Sequence, residues 1–105
     1  MTFAEIEERL RAEILDARED GWKIRPGCLG YADRKTCCAI GAVVRDLIDD
    51  SPGLSKYPVA AGRLGIRVDD LNDIALGFDG GKYGGPSTQF GLLGARIREF
   101  SESLP

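Results

Sequence analysis

Apolar side chains in this chain recur at steps of three and four, which places them on one face of a helix, and they nowhere alternate for long enough to build a sheet. Phe3, Ile6, Leu10, Ile14 and Ala17 form the first such stripe, and Thr2 with Glu5 sets a capping box in front of it. The spacing predicts a helix from about Phe3 to Glu19 that ends at Gly21. Its other face, with Glu7, Glu8, Arg11, Glu13, Asp16 and Arg18, reads as a solvated surface with local ion pairs.

Residues 21–36, GWKIRPGCLGYADRKT, have no helical period and contain Pro26 and three glycines. An irregular segment or short hairpin is expected there, with no convincing strand pair, and Trp22, Ile24, Leu29 and Tyr31 should fold it down over the core. Thr36 then caps a second helix, in which Ile40, Val43, Val44, Leu47 and Ile48 make a wide stripe and Asp49, Asp50 and Ser51 lead out to Pro52. Small residues crowd its first turns, and Gly41 would cost about 1 kcal/mol against alanine, so close packing is the expected compensation.

Residues 59–75, VAAGRLGIRVDDLNDIA, place two apolar stripes on either side of a glycine. Ser55 or Tyr57 opens a third helix with Pro58 in its first turn, Gly65 ends it, and Ile66 folds back on the preceding turn. Asp69 caps a fourth helix with Leu71, Ile74, Ala75 and Phe78 inward. The glycine-rich DGGKYGGP reads as a flexible connection, after which Ser87 caps a fifth helix over about 88–101 with Phe90, Leu93, Ile97 and Phe100 inward. The expectation is an all-α fold: a single compact domain over residues 1–105, of about five helices, with an irregular loop between the first two. A length of 105 residues suits one core and not two.

The third and fourth helices have the role-by-role spacing of a helix-turn-helix: Ala61 small at the crossing, Gly65 at the turn, Leu71 and Ile74 packing back. Reading DNA also requires donors and cations on the second helix. Its outward positions are instead Asp69, Asp70, Asn72 and Asp73, with Arg67 as one nearby cation and Arg63 on the preceding helix, and a phosphate backbone would repel such a surface. The net charge of −3 and pI near 4.9 point the same way. Asp69, Asp70, Asn72 and Asp73, with Lys82 and Tyr83 of the glycine-rich loop, are therefore the expected contact surface for a protein partner or a second copy, and nucleic acid is the less favoured partner.

Catalytic and metal chemistry find little here. There is no histidine, which removes His-based nucleophile pairs and His-ligated metals. Cys28, Cys37 and Cys38 form an odd set whose adjacent pair strains a shared tetrahedron, so they read as buried small hydrophobes, and neither metal nor cofactor is expected. The aspartates lack the alternation of a calcium loop, and GGKYGG lacks the Gly-Lys-Ser/Thr ending of a P-loop. One candidate site remains at the positive end of the expected second helix, where Arg34, Lys35, Thr36 and Cys37 could hold a small anion. The same position would lower the pKa of Cys37 or Cys38.

The run Cys38-Ala39-Ile40-Gly41-Ala42 follows a loop containing Trp and Gly. Asn72-Asp73 and a terminal amphipathic helix come some thirty residues later. From Trp22 onward this resembles a group of small bacterial and phage proteins in which a Cys-Ala-(Leu or Ile)-Gly-Ala helix and an Asn-Asp pair recur. The resemblance implies a compact helical domain and no activity. With no apolar run near the ~20 residues of a membrane span and an acidic N-terminus, the chain is expected in the cytoplasm. Its expected role is a small protein-binding or accessory module; the alternative is a helix-turn-helix DNA-binding protein. An enzymatic role ranks last, for want of a general base better than an ordinary carboxylate.

Overall fold

The computed structural model describes residues 2–27, 30–31, 34–48, 56–80 and 88–105. Among them, five α-helices pack around one core: α1 (Phe3–Glu19), α2 (Ala39–Val43), α3 (Tyr57–Leu64), α4 (Val68–Asp79) and α5 (Gln89–Glu102). α1 has the expected bounds because its signals are local and agree. Thr2 Oγ1 accepts from the Glu5 amide, the Glu5 carboxylate accepts from the Thr2 amide, and Ile6, Leu10, Ile14 and Ala17 are all buried. On its outer side Arg9 pairs with Glu13 and Arg11 with Glu7, as the four-residue spacing predicts. Glu7 and Glu13 also reach Arg96 and Arg45, so the face is tied to the rest of the molecule.

The loop after α1 corrects one expectation. Lys23–Ile24 (β1), Gly30–Tyr31 (β2) and Thr36–Cys37 (β3) pair in the order β1-β3-β2, β1 parallel and β2 antiparallel to β3. Lys23 N–H donates to Lys35 O at 2.7 Å and Arg25 N–H to Cys37 O at 2.8 Å. Two-residue strands are too short for any alternation to be legible. Just before β3, Lys35 takes a left-handed φ of 48°, a conformation uncommon for a residue with a Cβ.

α2 is also shorter than its pattern suggests. Thr36 lies in β3 and does not cap it; the cap is Cys38, whose Sγ accepts from Gly41 N–H at 3.4 Å. Every residue from Ala39 to Val43 is buried, as befits an apolar helix packed against α1, α3 and α4. The chain then leaves α-geometry at Val44 and continues as a 3-10 turn, Arg45–Leu47, which leaves Leu47 exposed. Two guanidinium groups take over the orphaned carbonyls: Arg45 Nη1 donates to Ala42 O at 2.8 Å and Arg63 Nη1 to Val43 O at 2.9 Å. Each is held in place by carboxylates, Arg45 by Glu13 and Asp20, Arg63 by both oxygens of Asp46.

α4 and α5 make the closest helix contact of the fold. Gly77, Gly91 and Gly94 are buried in it. A Cβ at Gly77 would fall well inside the carbonyl of Gly91, and one at Gly94 inside the carbonyl of Ile74. The cap of α5 is Thr88, which accepts from Gly91 N–H; Ser87, the expected cap, lies outside the described residues. Leu93 and Ile97 are buried as expected, with Phe90 and Phe100 half-buried against the core.

Two outcomes are expected. Gly77→Ala and Gly94→Ala should each destabilise the fold by on the order of 1–3 kcal/mol, because backbone must shift to admit a methyl. Gly62→Ala, on an open face of α3 with nothing within 4 Å, should instead stabilise by roughly 0.5–1 kcal/mol. Chemical denaturation of the three variants checks the opposite signs. The second outcome concerns pH. Arg96 holds the Glu7 carboxyl, and Arg63 the Asp46 carboxyl, below the usual carboxylate range. Both therefore contribute stability that is complete above the unfolded-state pKa and lost as pH falls through the lower folded-state value. A melting temperature that declines between about pH 5 and 3, and declines less in Arg63→Gln, is the expected record.

Candidate functional site

The corner formed by α3, residues 65–67 and α4 carries the first candidate surface. Its geometry follows from Gly65, which closes α3 at a left-handed φ of 68°. Gly65 N–H donates to Gly62 O and Ile66 N–H to Ala61 O at 3.0 Å, the paired bonds of a Schellman motif, and Ile66 packs on the core as expected. Ala60, Ala61 and Leu64 of α3 and Leu71 and Ile74 of α4 are buried across the corner.

Asp69 does not cap α4. The cap is Arg67, with extended backbone and no side-chain cap bond, and Asp69 and Asp70 lie in the first turn. The positive end of a helix favours carboxylates there, which gives their clustering a structural reason. The four polar residues of the DDLND stretch divide in the fold. Asp70 is half-buried and lies 3.6 Å from Arg67 Nε. Asp73, also half-buried, accepts from Thr88 Oγ1 at 3.1 Å and so supports the cap of α5. Asp69 and Asn72 are exposed. Beside them the outer side of α4 carries Val68, 38% exposed, and Leu76, 54% exposed. Val68, Asn72 and Leu76 are four residues apart and make one ridge. Among the described residues the single adjacent cation on this face is Arg67, since Arg63 turns away to Asp46 and Val43. Lys82 and Tyr83, the remaining expected contacts, lie outside the described residues.

The expected anion site is not built as its sequence suggested. Arg34 and Lys35 are exposed, but Thr36 and Cys37 are strand residues, and the amides of α2 begin beyond them at a five-residue helix. Lys35 Nζ donates to Asp20 O at 3.0 Å, and Thr36 Oγ1 donates to Arg34 O at 3.3 Å. β-pairing to both neighbours holds residues 36–37 extended, and that is what displaces the helix start.

Cys37 and Cys38 are buried, at 0% and 4% exposure, in keeping with small hydrophobes; Cys28 lies outside the described residues. Sequence reasoning missed what surrounds Cys38. Burial pushes the Tyr57 phenol up to about 12, and the Cys38 thiol and Asp79 carboxylate nearby add to the shift. Asp79 Oδ1 in turn accepts from Gly27 N–H at 2.9 Å. Residues 27, 38, 57 and 79 are brought together by the fold alone, with no local spacing to announce it. The phenol stays protonated at neutral pH and the thiol is occupied as a cap, so the group acts as a structural junction between the loop, α2, α3 and α4.

Among the described residues no three His, Cys, Asp or Glu side chains are placed to hold a metal ion, and no helix is long and apolar enough to cross a membrane. In a Cys28→Ser background, a bulky aromatic disulfide reagent is expected to label Cys37 and Cys38 far more slowly in buffer than in denaturant; equal rates would show that the thiols are accessible. No family model, curated protein or solved structure matches this chain.

Proposed function

We propose that the chain is a small accessory module that binds another protein through the outer ridge of α4. The observation that carries this reading is the exposure of Val68 and Leu76 on either side of Asn72, on a helix whose opposite side already fills the core with Leu71, Ile74 and Phe78. Apolar groups between polar neighbours suit a protein surface, where they are dehydrated against a matching patch. Asp69 beside them would meet a cation of the partner at the rim.

A DNA-binding helix-turn-helix is the second reading, and one observation favours it: the eight residues of α3, a three-residue turn and the twelve of α4 have that motif's proportions. Against it stands the charge of the outer face, where Asp69 and Asn72 are exposed and Arg67 is already paired with Asp70. We place the protein in the cytoplasm on the same reading.

Two measurements separate these possibilities. A titration with nonspecific duplex DNA at low salt is expected to be flat, and saturable binding that weakens with salt would replace the first reading with the second. Immobilised wild-type protein should retain a partner that Leu76→Arg loses by at least tenfold, while Leu15→Arg, on the exposed side of α1, retains it. Equal retention by both variants would sink the α4 ridge as the contact surface.

A further inference from the structure

An open cleft of about 670 Å³ lies where α1 and the residues just after it meet α3 and the 3-10 turn after α2, on residues that the proposed protein contact does not use. Trp22, half-buried, forms part of its wall together with Val43; Arg9, Arg45 and Arg63 line it with Glu13, Asp20 and Asp46. The three guanidinium and three carboxylate groups cancel in charge. Their hydrogen-bonding capacity does not cancel. Each carboxylate is already engaged: Glu13 by Arg9 and Arg45, Asp20 by Arg45, and Asp46 through both oxygens by Arg63.

The donors retain a surplus. Arg9 donates to Glu13 through Nε alone, at 2.9 Å, which leaves both terminal nitrogens without an acceptor among the described residues. Arg45 uses Nε and Nη1 and keeps Nη2. The indole N–H of Trp22 likewise has no acceptor among the described residues. A guanidinium has five N–H groups in a rigid fork, so the two free ends of Arg9 are shaped for the paired oxygens of a carboxylate. The indole lining the same cleft offers a flat apolar surface for an aromatic ring. The volume is within the range of small-molecule sites.

We propose that this cleft binds a small aromatic carboxylate, its carboxylate on the terminal nitrogens of Arg9 with Arg45 Nη2 in support, and its ring against Trp22. Glu13 acts here as a positioning residue, holding Arg9 by one oxygen and Arg45 by the other. Because the walls carry no net charge, recognition rests on the fork and the ring together. A bare anion gains only the first, and a neutral aromatic only the second.

Trp22 is the chain's single tryptophan and therefore reports directly on its own wall. Its fluorescence should change saturably on titration with benzoate, with matching saturation-transfer signals on the benzoate ring protons. Benzyl alcohol and inorganic phosphate should each bind at least about fivefold more weakly, from the loss of one charged hydrogen-bonding pair or of the ring contact. Arg9→Gln should weaken benzoate by about tenfold, with unchanged helical circular dichroism, because Arg45 still holds Glu13. Lys23→Gln, at an exposed position of β1 and not among the cleft residues, should bind benzoate as the wild type does. The proposal is overturned by an unsaturable response to benzoate, by equal binding of benzyl alcohol or phosphate, or by Arg9→Gln behaving as wild type. None of these results bears on the α4 ridge, so the two readings fail separately.

Discussion

Two helices can touch backbone to backbone only where side chains are missing, and the contact of α4 with α5 is built on that condition. Gly77 receives the carbonyl of Gly91, and Gly94 receives that of Ile74. The approach brings Asp73 to the cap of α5 and sets Leu93 and Ile97 into the core shared with α1. Once α5 is seated, the orientation of α4 follows, and with it the choice of which α4 residues face water. The exposure of Asn72 and Leu76 is thus a consequence of three residues that have no side chain at all.

The centre of the molecule has a different solution to a similar difficulty. α2 is five residues long and wholly buried, so its ends cannot be finished by water. A thiol closes the first end and two arginines the second. Arg45 and Arg63 come from the following turn and from α3, and each draws in carboxylates from elsewhere, Glu13 and Asp20 from α1 and its end, Asp46 from the 3-10 turn. Finishing one short helix consequently ties most elements of one side of the fold together. The charged cleft on that side is the outer surface of the same arrangement.

What could be read from the amino-acid order was what local chemistry decides. The bounds of α1 follow from Thr2, Glu5 and an unbroken stripe, and the end of α3 follows from Gly65 and Ile66. α2 was misread because Thr36 is a good cap in isolation, while its pairing with Lys23 and Tyr31 depends on residues distant in sequence. Gly77, Gly91 and Gly94 carry no local signal, since a glycine in a helix looks the same whether it faces solvent or another backbone. The candidate surface was legible to the same extent. Asp69 and Asn72 are outward as the helical period demands, whereas the half-burial of Asp70 and Asp73 comes from Arg67 and Thr88. The spare nitrogens of Arg9 were invisible, because what a guanidinium leaves unused is known only after its partners are placed.

The Schellman closure at Gly65 has a kinetic and entropic meaning for whatever meets this corner. Three residues join α3 to α4, and the amides of two of them are already bonded to α3. With so little slack, α4 has no independent hinge at its start, and its outer side is presented in one arrangement before any encounter. For the proposed partner, association there would proceed by selection of a fitting shape, with the loss of conformational freedom falling on the incoming molecule.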